Sequence, residues 1–296
     1  MSGYMHVISN VSNLAPIIAQ AKKQGQQVGF VPTMGFLHQG HLSLVEQAKS
    51  DNSFVVVSIF VNPLQFNNPE DFEKYPIDLQ KDFELLKSKN VDVVYTPTVD
   101  QIYPQGTSVT VNPGKLAETL EGEFRPGHFL GVATVVSILF NQVQPDFAVF
   151  GEKDFQQLRI IESMVRDLSI PVKILRGKLV REDTGLAMSS RNSRLSQQGK
   201  QQALALYFIL SECKKLLHSG LNQVAVIKEK ALFQATNKFP GFMLEYLHLI
   251  DEVTLVPLEN IISNNHARAV IAGYVEGVRL IDTECLNFVS STRQNL

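Results

Sequence analysis

The chain has 296 residues, 44% of them hydrophobic, enough for one large domain or two ordinary ones with real cores. Its 29 acidic and 27 basic residues give a formal charge of -2, which excludes a chain-wide basic footprint for nucleic acid or anionic lipid. Its longest apolar run, residues 54–61, is strand-sized, so no bilayer span is expected.

The opening Met1-Ser2-Gly3-Tyr4-Met5-His6 lacks the basic and apolar segments of a secretory signal, and a cytoplasmic protein is expected. Cys213 and Cys285 stand in no C-x-x-C or His/Cys group, so both are expected as reduced thiols. The sequon Asn10-Val11-Ser12 then reads as an accident.

Residues 28–33 read as a first buried strand. It ends in Pro32-Thr33-Met34-Gly35-Phe36-Leu37-His38-Gln39-Gly40-His41, an H-x-G-H turn leading into a helix predicted at 41–48. Free N–H groups at a helix start form an anion site, Gly40 lets a phosphate approach the backbone, and His38 and His41 add donors. A metal pair or ordinary turn histidines are the competing readings; for a metal pair no third ligand follows at familiar spacing and no H-E-x-x-H is present. The next strand, 54–61, stops at Asn62-Pro63-Leu64-Gln65-Phe66, which offers two neutral amides or simply opens a turn.

A helix at 79–87 and a strand at 91–95 follow, then Arg125-Pro126-Gly127-His128-Phe129 on a turn before a helix at 132–141. After a strand at 147–150, Gly151-Glu152-Lys153-Asp154-Phe155-Gln156-Gln157 opens a helix predicted at 155–168. There Lys153 suits phosphate, Asp154 suits a ribose hydroxyl or the helix cap, and Gln157 lies one turn in. A strand at 172–180 completes a βαβ alternation that predicts an α/β fold, a Rossmann-like doubly wound parallel sheet over residues 1–180. Ligands of such sheets bind beyond the carboxyl ends of the strands, where these motifs fall.

From residue 181 the character changes. A polar, turn-rich stretch, 181–196, carries Met188-Ser189-Ser190-Arg191, a mobile-looking segment suited to closing over a polyphosphate or serving as a plain linker. Helices at 201–217 and 224–239 and strands at 242–249, 267–275 and 278–281, the last two joined by a Glu276-Gly277 turn, predict a smaller α+β domain over 181–296. There is no Walker A, G-x-G-x-x-G or G-x-S-x-G motif.

In family order, the segments VPTMGFLHQGH, VSIFVNPLQF, RPGHF, QPDFAVFGEKDFQQL and MSSRN closely resemble the pantothenate synthetase family, within the H-x-G-H nucleotidyltransferases and ligases. The resemblance implies a two-step reaction: pantoate attacks the α-phosphorus of ATP and releases pyrophosphate, then β-alanine attacks the acyl adenylate and releases AMP. It implies Mg2+ on the phosphates, no metal held by protein ligands alone, and a homodimer. Carried over by position, His41 resembles the principal catalytic histidine, with His38 beside it. Met34, Gly35, His38, Gly40, His41, Gly151, Lys153, Asp154, Val180, Met188, Ser189, Ser190 and Arg191 resemble the ATP site. Gln65, Gln157 and Asn62 resemble the pantoate and β-alanine site. Neutral amides there orient a nucleophilic carboxylate without the tight Arg pair that would stabilise its ground state. One departure is Leu130, where many relatives place a polar or basic residue. The competing function is another H-x-G-H nucleotidyltransferase acting on a small phosphate ester, for which more Lys or Arg would be expected after the second strand.

Overall fold

Val55, Val56 and Val57 are fully buried, as are Val28, Phe30 and Val31 on the neighbouring strand. Consecutive strand residues point to opposite faces, so both faces of this sheet are covered, the setting in which parallel sheets form. The computed structural model describes residues 5–49, 53–67, 72–104, 108–262 and 266–287; residues 1–4, the start of the opening stretch read above, lie outside that set. The chain divides into two compact units, Met1–Val180 and Arg181–Leu296.

The first unit alternates strands and helices: β1 (His6–Ile8), α1 (Val11–Lys23), β2 (Gln27–Thr33), α2 (Gln39–Ala48), β3 (Ser53–Ile59), α3 (Leu79–Ser88) and β4 (Val93–Tyr95). Two single-turn helices, α4 (Val99–Ile102) and α5 (Glu121–Phe124), precede α6 (His128–Val143), β5 (Phe147–Gly151), α7 (Phe155–Asp167) and β6 (Lys173–Gly177). The six strands lie in the order β1-β4-β3-β2-β5-β6, and every pair is parallel. From β2 the chain builds outward through β3 and β4, then returns to place β5 on the other side of β2. The strand order therefore reverses between β2 and β5, and a crevice opens at such a switch point. Leu42, Val45 and Ala48 of α2 pack with Val31, Val57 and Val149 of the sheet and fix α2 against it.

Four elements escaped the sequence reading: the single-turn helices α4 and α5, and β1 and α1. Strand β1 has only three residues, too few for a period to show, and α1 contains Pro16, which ordinarily argues against a helix interior. Asn10, within the sequon, is the N-cap of α1, its side chain accepting from Asn13 N at 2.9 Å. The strand predicted to reach residue 180 stops at Gly177, and the helix predicted from 132 starts one turn earlier.

In the second unit, α8 (Gln197–His218) and α9 (Val224–Thr236) precede β7 (Met243–Asp251), β8 (Ala267–Val275) and β9 (Val278–Cys285). The three strands form an antiparallel sheet in that order, against which Leu206, Ile209, Leu210 and Ile227 share a core with Leu249, Ala269 and Ile271. The β8–β9 hairpin turns at Glu276 and Gly277, both with positive φ (52° and 74°), as a two-residue type I′ loop requires. Strand β9 runs four residues beyond its predicted end at 281. Among the described residues no helix is long and apolar enough to cross a membrane.

Candidate active site

The turn after β2 takes its shape from one glycine and one distant carboxylate. Gly35 has φ +81°, and a Cβ there would lie 2.9 Å from Ile59 Cγ2, so a larger residue is excluded on both counts. The next two N–H groups, of Phe36 and Leu37, donate to Asp82 Oδ2 and Oδ1 at 2.8 and 2.7 Å. Asp82 projects from α3 and is 1% exposed. Burial pushes its carboxyl pKa upward, against the two N–H bonds that favour the ionised form.

Helix α2 begins at Gln39, two residues earlier than predicted, which makes His38 its N-cap and His41 its third residue. The two rings cap reciprocally: Gly40 N donates to His38 Nδ1 at 3.2 Å, and His38 N donates to His41 Nδ1 at 3.3 Å. The ring centroids lie 4.1 Å apart, inclined at 36°. Each Nδ1 accepts a hydrogen bond, so each neutral ring carries its proton on Nε2. Burial, reinforced by Lys153, lowers the pKa of His38 to about 4. Burial, then His38, then Lys153 lower that of His41 to about 3. Near neutral pH the turn therefore holds two uncharged N–H donors at the positive end of a helix.

Lys153 reaches this field from the other side of the switch point. Gly151 ends β5 and residues 152–154 follow it, and Lys153 Nζ lies 3.9 Å from Asp154 Oδ1. Asp154 is the N-cap residue of α7, yet its carboxylate makes no cap bond, so the capping role weighed in the sequence is not realised. Gln156 and Gln157 differ sharply. Gln156 is buried, accepts from Glu121 N and donates to Leu116 O and Thr119 O, whereas Gln157 is half-buried and its amide makes no hydrogen bond among the described residues.

The segment after β3 is braced from several directions. Asn62 is 1% exposed; its Nδ2 donates to Gln65 Oε1 (3.2 Å) and Gly131 O (3.1 Å), while its Oδ1 accepts from Tyr103 Oη (2.7 Å) and Leu64 N (3.3 Å). Its amide is saturated within the chain, so Asn62 supports Gln65 instead of offering a free amide as the sequence suggested. His128 Nδ1 lies 2.7 Å from the Gln65 carbonyl and donates to it, and Arg125 Nη2 donates to the same oxygen at 3.4 Å. Burial, then Arg125, lowers the pKa of His128 to about 4. The close approach of α6 requires Gly131, where a Cβ would lie 2.4 Å from Leu64 O. Gln65 Nε2 faces Met34 Sδ at 2.8 Å, which joins the amide segment to the histidine turn.

Met34, Gly35, His38, Gly40, His41, Asn62, Gln65, Gly151, Lys153, Asp154 and Gln157 thus lie on loops and helix starts after β2, β3 and β5 of one unit, and Val180 is its last residue. Met188, Ser189, Ser190 and Arg191 belong to the other unit. There the stretch read as mobile-looking carries hydrogen bonds of its own. Arg181 bridges Ala187, Ser189 Oγ accepts from Arg191 N at 3.2 Å, and Asn192 Nδ2 donates to Glu182 Oε1 and Ala187 O, both at 3.0 Å. Asp82, Tyr103 and Gly131 were missed in the sequence; a buried position for an acidic residue becomes visible only once α3 is placed.

A family model for pantoate-beta-alanine ligase matches residues 6–285. The chain belongs to the pantoate–β-alanine ligase family. It is 43% identical to the pantothenate synthetase of Sulfurihydrogenibium sp. (strain YO3AOP1), over 94% of this chain and 99% of that protein. It is 46% identical to the pantothenate synthetase of Thermoanaerobacter pseudethanolicus, over 94% and 97%. The crystal structure of the pantothenate synthetase from Thermus thermophilus superposes with a TM-score of 0.88 at 43% identity, covering 96% of this chain and 100% of that one. The pantoate-beta-alanine ligase of Francisella tularensis, solved in complex with beta-gamma ATP and beta-alanine, gives a TM-score of 0.80 at 38% identity, covering 96% and 98%.

Proposed function

We propose that the chain condenses pantoate with β-alanine at the expense of ATP, giving pantothenate, AMP and pyrophosphate through a pantoyl adenylate. The observation that carries this reading is the reciprocally capped histidine pair, two neutral Nε2–H donors beside Lys153 at a switch-point helix start. Attack of the pantoate carboxylate on the α-phosphorus breaks the bond to pyrophosphate and moves charge onto the phosphate oxygens. Fixed donors aimed at that charge stabilise the transition state more than the ground state. Gln157, whose amide is free, and Gln65 orient pantoate, and the β-alanine amine then attacks the acyl carbon and expels AMP. Met34, Gly35, Gly40, Gly151, Val180 and Met188 contribute backbone to nucleotide binding in this reading, Ser189 and Ser190 contribute hydroxyls, and Arg191 contributes a guanidinium.

A magnesium ion carried on the nucleotide phosphates would offset charge on the departing pyrophosphate. Among the described residues no group of three or more His, Cys, Asp or Glu is placed to hold a metal. The Asp154 carboxylate, half exposed and uncommitted to the cap, is the acidic group that fits an ion carried in by the nucleotide. The same reading makes the protein a cytoplasmic homodimer, and sedimentation of the purified chain tests the dimer.

Rapid-quench turnover decides between mechanisms. ATP and pantoate without β-alanine should release about one pyrophosphate per site with little AMP, because an enclosed mixed anhydride is shielded from water. A nucleotidyltransferase acting on a phosphate ester gives no pantoate-dependent burst. Loss of the burst while all three substrates still yield AMP would replace the adenylate by a concerted ligation.

A further inference from the structure

Tyr103 lies outside every motif in the sequence, as the residue that follows α4, yet its hydroxyl reaches Asn62 across 41 positions. It is 7% exposed, and its ring meets Phe60 edge-on with centroids 6.3 Å apart. Two backbone groups fix which end of the Asn62 amide is oxygen. Leu64 N–H can only donate, which sets Oδ1 toward it, and Gly131 C=O can only accept, which sets Nδ2 toward it. Tyr103 Oη therefore donates to Oδ1, over the shortest bond that Asn62 makes, 2.7 Å against 3.1 to 3.3 Å for the others. The second Nδ2 hydrogen then goes to Gln65 Oε1. With its oxygen occupied, Gln65 presents only its NH2 group. That group faces Met34 Sδ, a weak acceptor that a ligand oxygen readily replaces.

We propose that Tyr103 is a positioning residue which, through Asn62, fixes the polarity of the Gln65 side chain so that Gln65 meets pantoate as a hydrogen-bond donor. The inference deepens the reading in which Gln65 contacts pantoate and rests on it. Donation suits a substrate whose carboxylate and hydroxyl oxygens are acceptors, and a flipped Gln65 would set its carbonyl against them. Burial raises the Tyr103 pKa, which keeps the phenol protonated and donating throughout the working range. Without the hydroxyl, Oδ1 keeps only the longer bond from Leu64, the Asn62 amide plane is loosened, and Gln65 samples both orientations.

A double-mutant cycle on full-length protein separates this relay from a packing role. Tyr103→Phe keeps the ring and its contact with Phe60. It should raise the KM for pantoate about five- to tenfold, the loss of roughly one hydrogen bond, with the KM for ATP changed less than about twofold. In a Gln65→Ala background the same substitution should change the pantoate KM by less than about twofold, because its effect travels through Gln65. An equal penalty in both backgrounds, an ATP KM that rises in parallel, or no effect in the wild-type background overturns the relay. Gln65→Ala with an unaltered pantoate KM overturns the pantoate assignment and the relay with it. Asn62→Asp supplies a second route should Tyr103→Phe be recovered unfolded. Its two oxygens cannot donate to Gln65 Oε1, so Gln65 turns its NH2 inward and pantoate KM must rise with ATP KM preserved; an unchanged pantoate KM sinks the proposal.

Discussion

The turn after β2 and the segment after β3 sit at the ends of neighbouring strands, and they are held in opposite ways. The histidine turn largely closes on itself: the His41 ring accepts from His38 N and the His38 ring from Gly40 N, within four residues, and the distant Asp82 carboxylate holds the approach. The amide segment is held from outside, by Tyr103, Gly131, His128 and Arg125, separated from it by 41 to 69 positions. A locally closed device keeps its donors aimed whatever its neighbours do. An externally braced device keeps its amides aimed only while several elements stay in register.

The largest effect should come from breaking the closed device. His41→Ala removes both an Nε2–H donor and the acceptor for His38 N–H, and turnover should fall about 10² to 10³-fold, the usual cost of one preorganised donor. The amide segment shares no bond with His41, so the pantoate dissociation constant measured without ATP should hardly move. Near wild-type turnover would remove the histidine pair from the chemistry.

Asp82→Asn probes the carboxylate tie of the histidine turn. An Asn offers a single oxygen, so one of the N–H groups of Phe36 and Leu37 loses its acceptor and faces an NH2 group. The expected cost is about 1–3 kcal/mol of stability with turnover reduced about tenfold, because a buried donor is left unpaired. Urea unfolding and steady-state rates on the same preparation measure both. If stability drops but turnover does not, Asp82 holds the turn without aiming the histidines.

The contrast also explains what was legible in the sequence. H-x-G-H, the glycine after β5 and the Glu276-Gly277 hairpin are local devices: their residues are neighbours in the chain, and spacing alone declares the geometry. Asn62 looked like a ligand because an amide on a strand-end loop has free valences until Tyr103 and Gly131 are placed around it. Gln156 and Gln157 are indistinguishable as letters, and only the positions of residues 116 to 121 decide which amide is consumed. The hydrogen bonding around 188–191 was hidden for the same reason, since Asn192 reaches Glu182 and Ala187 only once the bridge at Arg181 forms. Strand β1 was invisible by shortness, and α1 by its proline.

The smallest effect concerns acid, and it weighs the two devices against each other in protons. His38 and His41 in the closed turn have pKa values lowered to about 4 and about 3, and His128 in the braced segment to about 4, from 6.5. Between pH 6.5 and 4 the unfolded chain therefore binds more protons at these three sites than the folded chain does. Stability rises with pH where the unfolded state holds more protons, so this contribution is fully present above pH 6.5 and is lost as the pH falls toward 4. The pH dependence should be steepest near about pH 5, and turnover should show no inflection near 6.5 from the histidine pair, which stays neutral throughout that range. His128→Asn keeps a donor for the Gln65 carbonyl but cannot titrate, and it should remove about one third of the histidine-linked slope, one proton of three. His38→Asn should remove at least a similar share, because His38 also helps to hold the His41 pKa down. Unfolding free energies from urea titrations at about pH 7, 6 and 5 give the slopes. A slope unchanged in both variants would mean that neither histidine is held neutral by the fold, and the picture of two uncharged N–H donors at the start of α2 would have to be given up.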